Sequence, residues 1–177
     1  MTSGSFEPWI AVLCGPTGSG KSTFAARVSR ALECVIKSTD AQRYAIFAGS
    51  YPDKALWARS RDLVYSLVDD VVEKALYRGF SVVVDGVNSN LEHRARYLRH
   101  APLDRRLVVH FGTRFDNTRI WAERGYDETA ANEIRAFHER EFVMPRVDEA
   151  AVIQTVRTVE ELDSLIVNWP FRASASP

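Results

Sequence analysis

The 177-residue sequence predicts a three-layer α/β fold, a parallel sheet with helices on both faces and a small helical lid. Three observations predict it. Short apolar runs alternate with helical patterns along the chain, the arrangement that builds parallel sheets. The first such run ends at a glycine-rich turn that opens directly into a helix. The composition, 46% hydrophobic and 11% aromatic, is sufficient for a core and too apolar for disorder.

The elements follow in order. Trp9–Cys14 is an apolar strand ending at Gly15, and Ser22–Leu32 is a helix with Phe24, Val28 and Leu32 on one stripe. Cys34–Lys37 is a second strand and Asp40–Ala48 a short helix, interrupted by residues 49–53. From Lys54 a long helix carries Leu56, Leu63, Val64, Leu67, Val68, Val71, Val72, Ala75 and Leu76 at helical spacing, until Arg78-Gly79 ends it. Phe80–Val84 is continuously apolar, as a strand covered on both faces should be, and Asp85 stands at its carboxyl end. Leu91–His100 is helical and Leu107–Phe111 a further strand. Asp116–Glu123 and Thr129–Phe142 are helices separated by a break at 124–127, with Asp127 or Thr129 as the second helix's cap. Ala151–Val156 and Val159–Val167 close the fold as strand and helix, and the tail over 168–177 is expected to be flexible. No repeat or linker divides the chain, which reads as one domain.

Charge and cysteine content narrow the function. The formal net charge is +0, so nothing overall demands a nucleic-acid or membrane partner. The distribution is uneven: residues 91–124 hold eight Arg against four carboxylates, a net of +4, and residues 125–177 hold five Arg against ten, a net of −5. Cys14 and Cys34 form no metal pattern, and Cys14 is expected to be an inert core thiol. The four histidines lack metal-ligand spacing, and the tryptophans are expected to pack. Met1–Ser5 lacks a basic leader region and no apolar run approaches membrane-spanning length, so a cytoplasmic location and no membrane partner are the expectation.

The chemistry concentrates at the first turn. Gly15-Pro16-Thr17-Gly18-Ser19-Gly20-Lys21-Ser22 fits the pattern G-x-x-x-x-G-K-[ST], with Thr23 following. Glycines let backbone N–H groups turn inward around anionic oxygens, and the helix presents its positive end to the same oxygens. Lys21 is placed to reach β- and γ-phosphates and the Ser22 hydroxyl to hold Mg²⁺, which makes ATP and magnesium the expected cofactors. A guanine-reading Asn-Lys-x-Asp segment is absent, which argues against a GTP switch.

On the acceptor side, phosphoryl transfer to a hydroxyl calls for a carboxylate that takes its proton. Asp40 is the first carboxylate after the second strand, and Arg43 lies one helical turn on. On spacing alone, Asp40 is equally a catalytic base or a helix N-cap. Asp85 is the second carboxylate at the sheet's functional edge, a candidate for the metal's shell, with Asn88 placed to bond the loop or the acceptor. Arg119 and Arg124 flank the predicted break, where a lid arginine would stabilise charge on the transferred group.

These residues resemble the 5′-kinase domain of polynucleotide kinases, within the wider group that includes zeta-toxin-like kinases. The resemblance runs from about Ile10 to Val167. It rests on the P-loop, on Asp40-Ala41-Gln42-Arg43 as D-x-x-R, on Asp85-Gly86-Val87-Asn88 as a variant of D-x-T-N followed by Arg94, and on Glu123-Arg124-Gly125 in a lid over about 114–142. It implies Asp40 as general base, Arg43 as ligand of the acceptor's phosphate and Arg124 as the lid arginine, with Arg94 on the substrate side. Val87 departs from the family's Thr, and Glu123 stands where a cation is common. No D-x-D-x-T phosphatase motif is present. The leading expectation is therefore a kinase acting on a polynucleotide 5′-hydroxyl or modified-base hydroxyl. The alternatives are a small-molecule kinase for a nucleotide sugar, nucleoside or antibiotic, and a regulatory ATP-binding protein. The sequence leaves the oligomeric state open.

Overall fold

The computed structural model describes residues 7–50, 53–112, 122–123 and 125–171. Five strands form one parallel sheet: β1 (Ile10–Cys14), β2 (Val35–Ser38), β3 (Val82–Asp85), β4 (Arg106–Phe111) and β5 (Val152–Val156). Their spatial order is β2-β3-β1-β4-β5. Around the sheet lie α1 (Lys21–Leu32), α2 (Thr39–Ile46), α3 (Lys54–Tyr77), α4 (Leu91–Leu98), α5 (Glu128–Arg140) and α6 (Val159–Val167).

β1 is the centre of the molecule because every residue in it is apolar and every residue is buried. Its side chains alternate between two cores, as strand geometry requires. Trp9, Ala11 and Leu13 pack on one face with Phe24, Ala25 and Val28 of α1 and Leu165 and Ile166 of α6. Ile10, Val12 and Cys14 pack on the other face with Val68, Val72 and Leu76 of α3 and Tyr97 and Leu98 of α4. Burial pushes the Cys14 thiol up to about 12, so it is inert as expected.

Several boundaries move by a residue or two. β3 begins at Val82 rather than Phe80, because the turn after α3 leaves Phe80 exposed while Ser81 is buried and accepts a hydrogen bond from the Trp9 N–H at 3.2 Å. On α3 the row Val64, Val68, Val72 and Leu76, spaced four apart, is buried, and its last three residues, with Ala75, pack against the sheet; Leu63 and Val71 face outward. A helix crossing a sheet touches it along one row, so the broader stripe read from the sequence overcounts. The cap of α5 is Asp127, whose carboxylate accepts from the Ala130 N–H at 2.8 Å.

The expected flexible tail needs correction at its start. Trp169 is 3% exposed, its ring 4.8 Å from that of Trp9, and the Phe171 ring stacks on Trp9 at 6.2 Å. Aromatic area closes the open end of the α1–α6 core there. Residues 172–177, like most of the predicted first lid helix, lie outside the described residues.

Candidate active site

The parallel strands bring their carboxyl ends to one edge, and the site is built there. Gly15 leaves β1 at φ 135, a conformation open only to glycine. A Cβ on it would lie 2.6 Å from the Phe111 carbonyl oxygen at the end of neighbouring β4. The turn continues through Gly18 and Gly20, also at positive φ, into α1. Lys21, 7% exposed, donates from Nζ to the carbonyl oxygens of Gly15 at 3.0 Å and Pro16 at 2.6 Å, and to Ser19 Oγ at 3.3 Å. The loop thus folds around its own cation.

The two carboxylates converge on this loop from β2 and β3. Register sets Ser38 directly beside Asp85. Asp85, 5% exposed, accepts hydrogen bonds from the hydroxyls of Ser22 and Ser38. Burial raises its carboxyl above the ordinary range, and the Ser22 hydroxyl and the Lys21 ammonium work in the opposite direction. Ser38 is also the N-cap of α2, accepting from the Ala41 N–H at 3.3 Å. The cap position is therefore taken, and Asp40 sits within the first turn of α2 instead, its carboxylate 40% exposed. Thr17, Gly18, Gly20–Thr23, Ser38, Asp40 and Asp85–Val87 line one cleft of about 230 Å³.

Arg43 is 3% exposed and donates from Nη1 to Asp40 Oδ1 at 3.3 Å. Its guanidinium lies over the Trp57 ring, 4.7 Å from the centroid. Trp57 is thus a platform for this cation, a role that spacing alone did not reveal because the contact joins two helices across a break in the chain.

Two residues are held by distant partners. Of the two roles expected for Asn88, the structure shows a bond to the chain itself: it adopts φ 42, and its Nδ2 donates to the Leu13 carbonyl at 2.7 Å. With the Gly15 N–H donating to Val87 O at 3.1 Å, it staples the loop after β3 to the end of β1. Arg94 is 0% exposed and clamps Glu149 through Nε at 2.6 Å and Nη2 at 2.9 Å, while Nη1 reaches the carbonyls of Asn88 and Val143. A guanidinium so enclosed is unavailable to an acceptor. The sequence carried a weak signal for its partner, since Glu149 is one acidic residue among ten in the C-terminal stretch. Arg119 and Arg124 lie outside the described residues.

Among the described residues of the basic stretch, Arg99, Arg105 and Arg106 stand away from the cleft. Arg99 pairs with Asp69 on α3. Arg105 pairs with Glu7, and Arg106 opens β4 at the strand's amino end, the edge opposite the P-loop. Among the described residues no group of histidine, cysteine and carboxylate side chains forms a metal cage, and no helix is long and apolar enough to cross a membrane.

Known structures share this arrangement. A putative kinase from Chloroflexus aurantiacus aligns with a TM-score of 0.70 at 16% identity, over 91% of this chain and 96% of that one. A sugar kinase from Janibacter aligns at 0.62 and 14% identity, over 92% and 94%. APS kinase from Mycobacterium tuberculosis, solved with AMPPNP and APS, aligns at 0.57 and 18% identity, over 91% and 96%. No curated protein matches the sequence. The family model described as AAA domain matches residues 10–137, a span that holds the P-loop, Asp40, Arg43, Asp85 and four of the five strands. The chain therefore belongs to the AAA domain family, with a P-loop kinase-like α/β fold.

Proposed function

We propose that this protein is an ATP-dependent kinase that transfers the γ-phosphate to a hydroxyl of a small molecule. The observation that carries the reading is the shared cleft: the P-loop and two carboxylates from separate strands line one small volume. In it Asp40 takes the proton of the incoming hydroxyl, and Lys21 with loop N–H groups between Thr17 and Thr23 holds the donor phosphates. Ser22 and Asp85 fit a magnesium ion. Their oxygens are hard donors already in mutual contact, and a cation would offset the cost of burying the Asp85 carboxylate. Magnesium-bound ATP supplies an activated terminal phosphate; the chain supplies position and charge. Arg119 and Arg124 keep their proposed lid role through resemblance alone.

Two findings favour a small acceptor over the polynucleotide expected from the sequence. Arg94, Arg99, Arg105 and Arg106 scatter among buried and edge positions instead of lining a groove beside the cleft. Structural neighbours named above include a sugar kinase and APS kinase. The test is label transfer from γ-labelled ATP to sugars, nucleosides, hydroxy acids and 5′-hydroxyl oligonucleotides, with Asp40→Asn as the control. Transfer should fall by about 10²–10⁴-fold in that variant, with ATP affinity kept. Label on oligonucleotides alone would overturn the small-molecule reading, and an unaffected Asp40→Asn would overturn the assignment of the base.

A further inference from the structure

The pairing of β1 with β3 runs through Ile10–Val82, Ala11–Val83 and Val12–Val84 and stops there, because the chain leaves the sheet after Asp85. β1 itself continues through Leu13 and Cys14 before the P-loop opens at Gly15. Leu13 and Gly15 are both buried, and backbone polar groups at that depth are almost always bonded. Their partners come from the loop after β3. The Gly15 N–H donates to Val87 O at 3.1 Å, and the Leu13 carbonyl accepts from Asn88 Nδ2 at 2.7 Å. A side-chain amide thus stands in for the ladder N–H that a longer β3 would have supplied. The pairing is carried past the end of the strand, while Asp85, Gly86 and Val87 are left free to line the cleft.

Few residue types can occupy this position. The Asn88 backbone stands at φ 42, in the left-handed region that asparagine and aspartate enter more readily than most side chains. A carbonyl partner requires a donor, which an ionised aspartate lacks and glycine has no side chain to provide. Asn88 is also gripped from behind. Arg94 Nη1 donates to its carbonyl at 3.2 Å, and that guanidinium is itself fixed by Glu149. On the other side lies Gly86, where a Cβ would come 3.3 Å from Asn88 Nδ2 and 3.0 Å from Oγ1 of Thr39, the residue before Asp40. The amide therefore sits where the P-loop, the loop after β3 and the start of α2 meet.

The consequence reaches the two metal donors. Asp85 is registered to Ser38 of β2 on one side. On the other, its relation to Ser22 passes through Gly15, whose N–H is held by Val87 and whose carbonyl accepts from Lys21 Nζ at 3.0 Å. On the reading of this protein as an ATP-dependent kinase, we propose that Asn88 is a positioning residue for magnesium: its amide ties the loop after β3 to the root of the P-loop and so holds Asp85 and Ser22 together for a shared cation. It acts through the backbone. The phosphate-binding N–H groups between Thr17 and Thr23 are set by the turn's own glycines, so binding of metal-free ATP depends on this tie much less.

Calorimetry of ATP binding with and without magnesium tests the role, alongside hydrogen exchange at the Gly15 amide. Asn88→Asp keeps the side chain's shape but turns a carboxylate oxygen on the Leu13 carbonyl. Asn88→Gly keeps the backbone conformation, removes the amide, and serves if the aspartate variant does not fold. In both, the gain in ATP affinity on adding magnesium should fall by about tenfold, with affinity for metal-free ATP nearly kept. Exchange at Gly15 should quicken. The magnesium concentration for half-maximal transfer should rise by a similar factor, with kcat largely restored at saturating magnesium. Gly86→Ala, which crowds the amide from the cleft side, should act in the same direction and more weakly. A residue that only stabilises the fold would lower the melting temperature and leave the magnesium gain intact. That result, an equal loss of affinity with and without magnesium, or unchanged Gly15 exchange would each overturn the proposal. Absence of magnesium-linked affinity in the unaltered protein would sink the kinase reading and this role together, whereas a gain kept by the variants sinks the role alone.

Discussion

Gly15 shows how much a single position can decide. Its backbone stands at φ 135, and the space a side chain would need is filled by the Phe111 carbonyl. Gly15→Ala therefore requires the loop to move, at a strain cost of about 2 kcal/mol. The expected result is a loss of ATP affinity of roughly tenfold or more, measured by calorimetry, with the circular dichroism of the sheet retained. Asp40 and Asp85 illustrate division of labour by environment. Asp85 is enclosed and held by hydroxyls, suited to a cation, while Asp40 is partly open to solvent, suited to exchanging a proton.

Elements meet through a few buried polar contacts as well as through the cores. The Arg94–Glu149 pair joins α4 to the segment that follows α5, and the Arg94 Nη1 bonds to Asn88 and Val143 extend the junction to the loop after β3. Val143 N–H donates to Ser89 O at 2.7 Å and Arg146 N–H to Glu149 Oε1 at 2.8 Å, so the return from α5 is sewn to the loop that follows Asp85. Removing one partner leaves a buried uncompensated charge. Glu149→Gln or Arg94→Met should each cost about 3–5 kcal/mol in urea unfolding. The double change Arg94→Met with Glu149→Leu should recover a good part of that loss, because it removes both desolvation penalties. Equal losses in single and double variants would show that the backbone bonds matter more than the charge pair.

At the scale of the whole molecule, charge and titration give two further expectations. His110 lies on β4, 8% exposed, with its ring 5.2 Å from Phe142. Burial lowers its pKa, reinforced by the charges of Arg157 and Arg94. The unfolded chain then takes up a proton before the folded one does. Stability is full above about pH 6.5 and falls as pH drops from there toward the lowered native value. His110→Gln should flatten that part of a thermal-melt profile, and an unchanged slope would assign the loss to other groups. The dispersed arginines predict weak contact with polymers. Oligonucleotide binding at 0.15 M salt should be weaker than about 10⁻⁴ M, read by fluorescence anisotropy; tighter binding with a steep salt slope would restore the polymer as acceptor.

Much of the architecture was legible because it depends on local patterns. β1 reads as a buried strand since all five of its residues are apolar, and the P-loop reads at once because its glycines and Lys21 are consecutive. Candidate residues were less evenly legible. Asp40, Arg43 and Asp85 lie near one another because each stands at or shortly after the end of a strand whose position a parallel sheet fixes. The bonds of Arg94 and Asn88 were not legible, because their partners Glu149 and Leu13 lie 55 and 75 residues away in the chain. Trp57 and Trp169 were read alike as packing residues, yet one carries a cation and the other closes a core.

By itself, then, the sequence determined the alternation of strands and helices, the phosphate loop and the carboxylates at the strand ends, all set by short-range sterics and periodicity. Only the tertiary structure decided which arginines face the cleft, which are sealed into ion pairs and which lie at the far edge. Charge and residue type are local properties, but burial and partnership depend on distant segments meeting, and these determine whether a guanidinium is free to bind.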